Sequence, residues 1–427
     1  MHVADPFHGS SEFYILTQEG WDRFMRWCFP VVSVCFLLSV SAAELPTFRG
    51  ASSGVLRAIT LPTVDISGQV KRHSFVARGT KEIYQGHCDT VLLPDGKTMF
   101  AAWCLGHAQW IGPIARSGDG GLSWSKPLPV PENWNETSNT PTLHRLVGVD
   151  GRSRLFCFAD GLDWSRGGEP PYPMHQAVSE DGGMSWSPMS PNGVQGEVPP
   201  KTIHRFDDGA RLVMWSDLPG FVVQAESGDG GLTWSDAVKI LRVPSRWSQP
   251  CVVRSPDGKR CLMLLRENSR RFQSLFSLSE DDARTWSEPR ELPAALTGDR
   301  HVAKFGLDGR LVVAMRDRAK TSLTYGHYVA WIGHFEDLLH GGEGQCRIKL
   351  LHNAARGEDT PPGTGNADCG YSDLERLADG TFVATTYIKY GQGPEKNSVV
   401  CTRFKLSEID LALQAKSSRA TPGCAID

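Results

Sequence analysis

Short apolar runs, each broken by the same turn, set the pattern of this chain. Asp-Gly follows an apolar run at Asp95-Gly96, Asp150-Gly151, Asp208-Gly209, Asp257-Gly258, Asp308-Gly309 and Asp379-Gly380, and a second apolar run follows each pair, as at 98–103, 262–265 and 311–315. Asp-Gly between two such runs predicts a β-hairpin, because Gly accepts positive φ and the Asp carboxylate bonds to its own turn. The six turns recur at intervals of 49 to 71 residues. A period of roughly 40–50 residues or more, filled with strands, marks the blade of a propeller. The pattern therefore predicts an all-β chain folded as a six-bladed β-propeller.

A second repeat runs out of phase with the first. Ser117, Asp119, Gly121 and Trp124 define the spacing S-x-D-x-G-x-x-W. Ser179, Asp181, Gly183 and Trp186 repeat it, as do Ser227, Asp229, Gly231 and Trp234. A fourth copy, Ser279, Asp281 and Trp286, has Ala283 in place of Gly. In each copy the Asp is placed to accept from its own turn backbone and the Trp pins the turn to an apolar layer, and in the first three the Gly supplies positive φ. The first four hairpins are each followed by one of these Asp boxes, and the last two are not.

The hairpins also give a register. Eight residues before each hairpin Asp stand His87, Thr142, Pro200, Gln249, Arg300 and Tyr371. Eight or nine residues after it stand Trp103 or Cys104, Phe158 or Ala159, Ser216 or Asp217, Arg266, Arg316, and Tyr387 or Ile388. A hairpin brings the start of its first strand and the end of its second to one edge. With the first strand innermost and no bulges, these positions ring one mouth of a central channel. That count gathers Arg266, Arg300, Arg316, Tyr371, His87 and Gln249 on a single rim. His144-Arg145, His204-Arg205 and His301 lie on neighbouring strands and read as structural residues.

Composition narrows the class without naming a chemistry. The 427 residues carry a net charge of −3, with 44 Gly, 27 Pro and 13 Trp. Near-neutral charge points to neither nucleic acid nor a membrane surface as partner. Turn-rich, aromatic-rich composition suits many short strands. Met25-Arg26, the apolar run 27–40 and the small residues Ser41, Ala42 and Ala43 read as a signal peptide. The run is short for a bilayer span, although a single-pass anchor is the alternative. The expected layout is an upstream, disordered extension at 1–24, a signal at 25–43 and a segment at 44–80 whose added edge strand closes the ring. A propeller over 81–415 and a loose tail over 416–427 complete it. The mature chain is then expected to be secreted or periplasmic, with no stable membrane insertion. Eleven Cys, two of them inside the signal, show no C-x-x-C spacing, so no metal site and at most a few disulfides are expected. Asn135-Glu136-Thr137 fits a glycosylation sequon. No nucleotide or phosphate-loop motif is present, and no cofactor is expected.

The Asp boxes and the segment Tyr371-Ser372-Asp373-Leu374 ahead of Asp379-Gly380 resemble the sialidase (neuraminidase) superfamily, from about residue 72 to 412. The resemblance implies a glycan or acidic-sugar substrate and retaining hydrolysis by a Tyr nucleophile, an exception to the paired-carboxylate glycosidases. A neutral phenol approaches an anionic substrate with less repulsion than a carboxylate would. It implies Tyr371 as nucleophile and a cluster of Arg that forks the substrate carboxylate, with Arg266 resembling the second family Arg and Arg316 or Arg318 the third. Arg300 and Gln249 join them as substrate-binding candidates. The chain departs from the family at three points. The first-blade segment 84–89 lacks an Arg, with Arg72 and Arg78 the nearest substitutes. Gln249 stands where a Glu would deprotonate the Tyr, and an amide is no base. Asp89, His87 and His107 are the acid/base candidates, and Glu267 is a possible stand-in base. Three readings follow: a sialidase-type hydrolase of an acidic sugar, a related propeller with changed chemistry on another polysaccharide, or a glycan-binding propeller.

Overall fold

In a computed structural model the described residues are 44–50, 57–161, 169–244, 248–357 and 360–420. The 1–24 extension, the 25–43 signal and residues 421–427 lie outside them. In chain order, β1 (Thr63–Asp65) and β2 (His73–Ala77) precede the first blade, β3 (Gln85–Leu92), β4 (Met99–Leu105) and β5 (Trp110–Ser117). The second blade is β6 (Thr142–Val147), β7 (Ser153–Asp160), β8 (Pro173–Ser179) and β9 (Ser190–Gln195). The third is β10 (Ile203–Phe206), β11 (Arg211–Leu218), β12 (Phe221–Ser227) and β13 (Val238–Arg242). The fourth is β14 (Cys251–Arg254), β15 (Cys261–Leu265), β16 (Leu275–Ser279) and β17 (Arg290–Glu291). The fifth is β18 (Gly298–Phe305), β19 (Leu311–Asp317), β20 (Tyr328–Gly333) and β21 (Cys346–Leu351), with helix α1 (Phe335–His340) after β20. The sixth is β22 (Cys369–Arg376), β23 (Phe382–Ile388) and β24 (Ser398–Phe404), followed by helix α2 (Leu406–Ala420).

Each blade is an antiparallel meander, and six such sheets make up the described residues. All six Asp-Gly turns join the first two strands of a blade. The first strands are innermost: β3 packs on β6 and β22, and β18 on β14 and β22. The ring closes through β2, which pairs antiparallel with β24, His73 opposite Thr402. A strand from the start of the propeller thus completes a sheet built from its end, and β2 covers the edge that β24 would otherwise expose. β1 adds a parallel fifth strand to the fifth blade, Thr63 opposite Arg347. Helix α2 replaces the expected loose tail over 416–420, and the rest of that tail lies outside the described residues. Leu406 and Ile409 bury in the core between the last two blades, Arg310 pairs with Asp410 at 2.8 Å, and the helix carries Lys416 to the Thr63 carbonyl at 2.7 Å.

The Asp boxes are staples between blades. In the first, Asp119 accepts from the backbone of Leu122 at 3.0 Å and Ser123 at 2.9 Å. The other three Asp residues repeat these bonds at 2.9 to 3.1 Å. Each turn is then pressed on the preceding blade. Gly183, at φ 94°, lies so close to Phe100 of the first blade that a Cβ would stand 2.5 Å from its ring. Gly231 meets Leu146 of the second blade in the same way, at 2.6 Å. Gln176 of the second blade donates to the Gly231 and Leu232 carbonyls at 3.1 Å. The strand histidines brace nearby backbone, His144 and His204 that of the next blade and His301 the turn ahead of its own strand. His144 Nε2 lies 2.9 Å from the Pro200 carbonyl, His204 Nε2 2.7 Å from that of Val252, and His301 Nε2 2.8 Å from that of Leu296. The eight described cysteines are free and buried.

Candidate active site

Three of the six register positions share an uncommon backbone. Gln249, Arg300 and Tyr371 have φ of 44°, 52° and 46°. Such a left-handed conformation costs an L-residue roughly 1–3 kcal/mol and persists only where its surroundings impose it. In the fifth and sixth blades it falls within a bulge. Asp299 pairs with Arg316 but the next pair is Val302 with Ala314, and Gly370 pairs with Tyr387 but the next is Asp373 with Thr385. The expectation of unbulged strands therefore fails in these blades, and in the first, where the register shifts between Gln85 and Cys88. The extra residue leaves the ladder, which frees its side chain to turn into the mouth.

These turns converge on the Tyr371 hydroxyl. Gln249 Nε2 donates to it at 2.8 Å and Arg266 Nη1 at 3.3 Å. The guanidinium carbons of Arg300 and Arg316 lie 5.7 and 5.8 Å from the ring centroid. His87 stacks flat on the ring, with centroids 4.0 Å apart and planes within 10°. Burial pushes the phenol pKa up, but Arg266, Arg316, the Gln249 hydrogen bond and Arg300 together outweigh it, so the phenol is held below its ordinary value. Among the described residues no carboxylate hydrogen-bonds to this oxygen. Cations and an amide donor stabilise the phenolate where a base would otherwise remove the proton.

The arginines themselves close on a carboxylate that sequence reasoning missed, that of Asp299. Arg316 donates to its Oδ2 from Nε at 3.1 Å and from Nη2 at 2.8 Å. Arg270 reaches Oδ2 from Nη2 at 2.9 Å and lies 2.7 Å from Oδ1 through Nη1. Arg266 Nε lies 2.9 Å from Oδ1, and Arg318 Nε 3.7 Å from Oδ2. Asp299 is 1 % exposed. Its burial would raise the pKa, but Arg266, Arg270 and Arg316 keep the carboxyl ionised well below the ordinary range. The remaining nitrogens of the two expected substrate arginines also have protein partners, Asn268 Oδ1 for Arg266 Nη2 at 2.8 Å and the Ala367 carbonyl for Arg316 Nη1 at 3.2 Å.

A second cluster flanks the first. His107 Nδ1 stands 3.3 Å from Asp368 Oδ1. Asp368 also accepts from Tyr84 at 2.7 Å and Tyr387 at 2.8 Å. Burial opposes its ionisation, but His107 and the two phenols hold it well below the ordinary range. The His107 side chain is 56 % exposed and its ring lies 4.6 Å from that of His87. An imidazole oriented through Nδ1 by a carboxylate keeps Nε2 for proton transfer. His87 is buried, which with His107 nearby keeps it neutral, and its Nδ1 is 3.0 Å from Thr140 Oγ1.

Other expected residues do different work. Asp89 is turned away from Tyr371 into an ion pair with Lys201 at 2.7 Å, and Lys201 also holds Asp373 at 2.7 Å. These residues line a separate cavity of about 560 Å³ together with Lys304 and Glu375. Glu267 is no stand-in base: its carboxylate accepts from the backbone of Ser269 at 2.9 Å, Arg271 at 3.2 Å and Phe272 at 3.3 Å, closing the loop that carries Arg270. Arg72 pairs with Glu408 at 2.7 Å and Arg78 covers Phe75 at 3.4 Å, so neither supplies the missing first-blade Arg. His87 holds that blade's place against Tyr371. Asp217 is also at the rim, where its Oδ2 accepts from the Gln249 backbone at 3.1 Å. Burial pushes its carboxyl up to about 6 against the pull of Gln249, Arg300 and Arg266. The register count reached Asp217 directly. Asp299 and Asp368 lie one and three residues before register positions, but nothing in their local sequence marks them.

The architecture is that of known propellers. An α-L-arabinanase of Penicillium chrysogenum, solved with arabinobiose, aligns with TM-score 0.53 and 16 % identity over 79 % of this chain and 98 % of its own. An intramolecular trans-sialidase of Ruminococcus gnavus gives 0.51 and 16 % over 78 % of this chain and 97 % of its own. The NanB sialidase of Streptococcus pneumoniae gives 0.51 and 12 % over 79 % and 71 %. At such identities the likeness shows the sialidase-like fold and no more. No curated protein is similar enough to match. Residues 86–383, well over half of the chain and every blade of the ring, match the family described as the BNR repeat-like domain, and the chain belongs to that family.

Proposed function

We propose that the Tyr371 mouth is the active site of a retaining glycoside hydrolase that removes a terminal sugar from a glycan. One observation carries this reading: a phenol held below its ordinary pKa by Arg266, Arg316 and Arg300 and hydrogen-bonded by Gln249 Nε2 at 2.8 Å. A stabilised phenolate is a nucleophile prepared without a base. The phenol loses its proton to solvent, and the phenolate oxygen attacks the anomeric carbon. The bond to the leaving oxygen breaks as protonated His107 gives that oxygen a proton. Neutral His107 then takes a proton from water, whose oxygen displaces Tyr371 and releases the sugar. Asp368 orients His107 and offsets its charge in the first step. The solved propellers of this shape include sialidases and an arabinanase, so the fold alone leaves the sugar open between acidic and neutral.

The test is a panel of aryl glycosides, neutral and acidic, with a 2-fluoro glycoside of whichever sugar turns over as a trap. Tyr371→Phe should remove turnover and leave the thermal midpoint nearly unchanged, and the trapped sugar should be found on Tyr371 by peptide mass analysis. Undiminished turnover by Tyr371→Phe, or a label on another side chain, rejects the nucleophile. Gln249 in the place of a base favours a second reading, a propeller that binds glycans without cleaving them, and a panel without any turnover selects it. Export is part of the same proposal, from the apolar run 27–40 after Met25-Arg26. N-terminal sequencing of the exported product should begin near Ala43 or Glu44.

A further inference from the structure

We infer that the sugar taken at this mouth is a neutral one, because Asp299 fills the place that the Arg266 and Arg316 forks would otherwise offer to a substrate carboxylate. The inference rests on the proposed hydrolase site but is decided by binding. Its first support is the set of partners described above. The side-on fork of Arg316, Nε and Nη2, is spent on Asp299 Oδ2 at 3.1 and 2.8 Å. Arg266 faces Asp299, Tyr371 and Asn268 with its three nitrogens. A second carboxylate arriving here would have to displace a buried one that is already paired, or lie beside it and be repelled.

The second support is independent of the first. Asp217 Oδ1, Gln249 Oε1 and Arg300 Nη1 are buried side-chain atoms without a hydrogen-bond partner. Their residues are 0 %, 2 % and 2 % exposed. They form one group about Tyr371. Gln249 spends its other amide atom on the hydroxyl, Asp217 accepts from the Gln249 backbone, and Arg300 lies over the ring. A buried polar atom left unpaired is costly, so a set of three at one mouth marks a place completed by a ligand. Two of the three are acceptors, one of them a carboxylate. Hydroxyl groups can donate to both and accept from Arg300, whereas a carboxylate has no proton to give either. The arrangement fits neighbouring hydroxyls of an uncharged ring.

Besides Arg300, whose Nη1 is unpaired, Arg318 is a guanidinium that could still serve an anion. It lies 5.1 Å over Tyr325 and makes only a long approach to Asp299. The experiment therefore compares charge classes directly. Saturation-transfer NMR measures binding of N-acetylneuraminic acid and glucuronic acid against galactose, arabinose, fucose and rhamnose, on wild type, Asp299→Ala and Asp299→Asn. The aryl glycosides of the same sugars measure turnover. Wild type is expected to bind at least one neutral sugar and neither acid. Asp299→Ala frees the forks and should gain roughly tenfold to hundredfold in affinity for N-acetylneuraminate, the worth of a charge-assisted hydrogen bond. Asp299→Asn keeps the volume if the Ala variant does not fold. Saturable binding of either acid by wild type, or binding of neither class, overturns the inference, as does a folded Asp299 variant with no gain. If neither variant folds, the wild-type preference decides. Absence of turnover with neutral-sugar binding intact counts against the hydrolase reading alone.

Discussion

Gln249 and Tyr371 face each other across the channel mouth, joined by a 2.8 Å hydrogen bond from the amide to the phenol, and both hold left-handed backbone. The position where a carboxylate would take the phenol's proton holds instead a donor that favours the phenolate. The two arrangements solve the same problem in opposite ways. A base removes the proton during the reaction, whereas donors and cations make the ionised form more abundant beforehand.

Gln249→Leu should consequently lower kcat by roughly tenfold to hundredfold, the value of one hydrogen bond to a charged group. The phenol pKa rises when a donor to its anion is lost, so the acidic limb of the pH–rate profile moves to higher pH. Gln249→Glu should move that limb the same way, because a like charge beside the phenolate disfavours it. A limb that stays in place in both variants would dissociate Tyr371 ionisation from turnover.

His107→Ala should cost about 10²–10⁴ in kcat/KM, the range of general acid–base catalysis. The loss is expected to grow as the leaving group becomes a poorer one, because the missing proton then matters more. Asp368→Asn should show the same trend with a smaller loss, since the imidazole remains but its orientation and charge partner weaken. Rates across a series of aryl leaving groups distinguish this from a general loss of folding, which would lower all rates alike.

Asp217 makes a pH-dependent contribution whose sign follows from burial. Its carboxyl is pushed up to about 6 in the folded chain. An acid that is weaker when folded helps stability below its unfolded pKa and loses that help as pH rises through the folded one. The window is therefore about pH 4 to 6, and the loss about 2–3 kcal/mol. Asp217→Asn removes the titration. Denaturant unfolding should find the variant gaining on wild type across that window, with no further relative gain above pH 7. A constant difference at all pH values would refute the assignment.

Gly183→Ala should destabilise the ring by roughly 2–4 kcal/mol, through both overpacking and positive φ. The added Cβ would stand 2.5 Å from Phe100, in the blade before it. Gly182→Ala is the control, since φ is 72° there but nothing lies within 4 Å of its Cβ. The difference between their thermal midpoints reports the contact between blades, and equal midpoints would leave only backbone strain.

Local sequence was enough for the repeat, the turns and the ring. Each Asp-Gly turn and each Asp box is specified within a few residues, because its hydrogen bonds are to its own backbone. The alternation of apolar runs then follows from strands buried between neighbouring sheets. Counting from the turns also brought Tyr371, Gln249, Arg266, Arg300, Arg316 and His87 to one mouth, since hairpin pairing fixes the edge at which a strand begins and ends. What those residues do to one another depended on tertiary structure. The bulges that turn Arg300 and Tyr371 inward are single extra residues without a sequence signature of their own. Asp299 and Asp368 gain their roles from partners distant in the sequence, Arg266 and Arg316 for one, Tyr84 and His107 for the other. Asp89 loses its expected role in the same way, to a lysine 112 positions away. Charge complementarity acts through distance in space, and only the closed ring sets which charges meet.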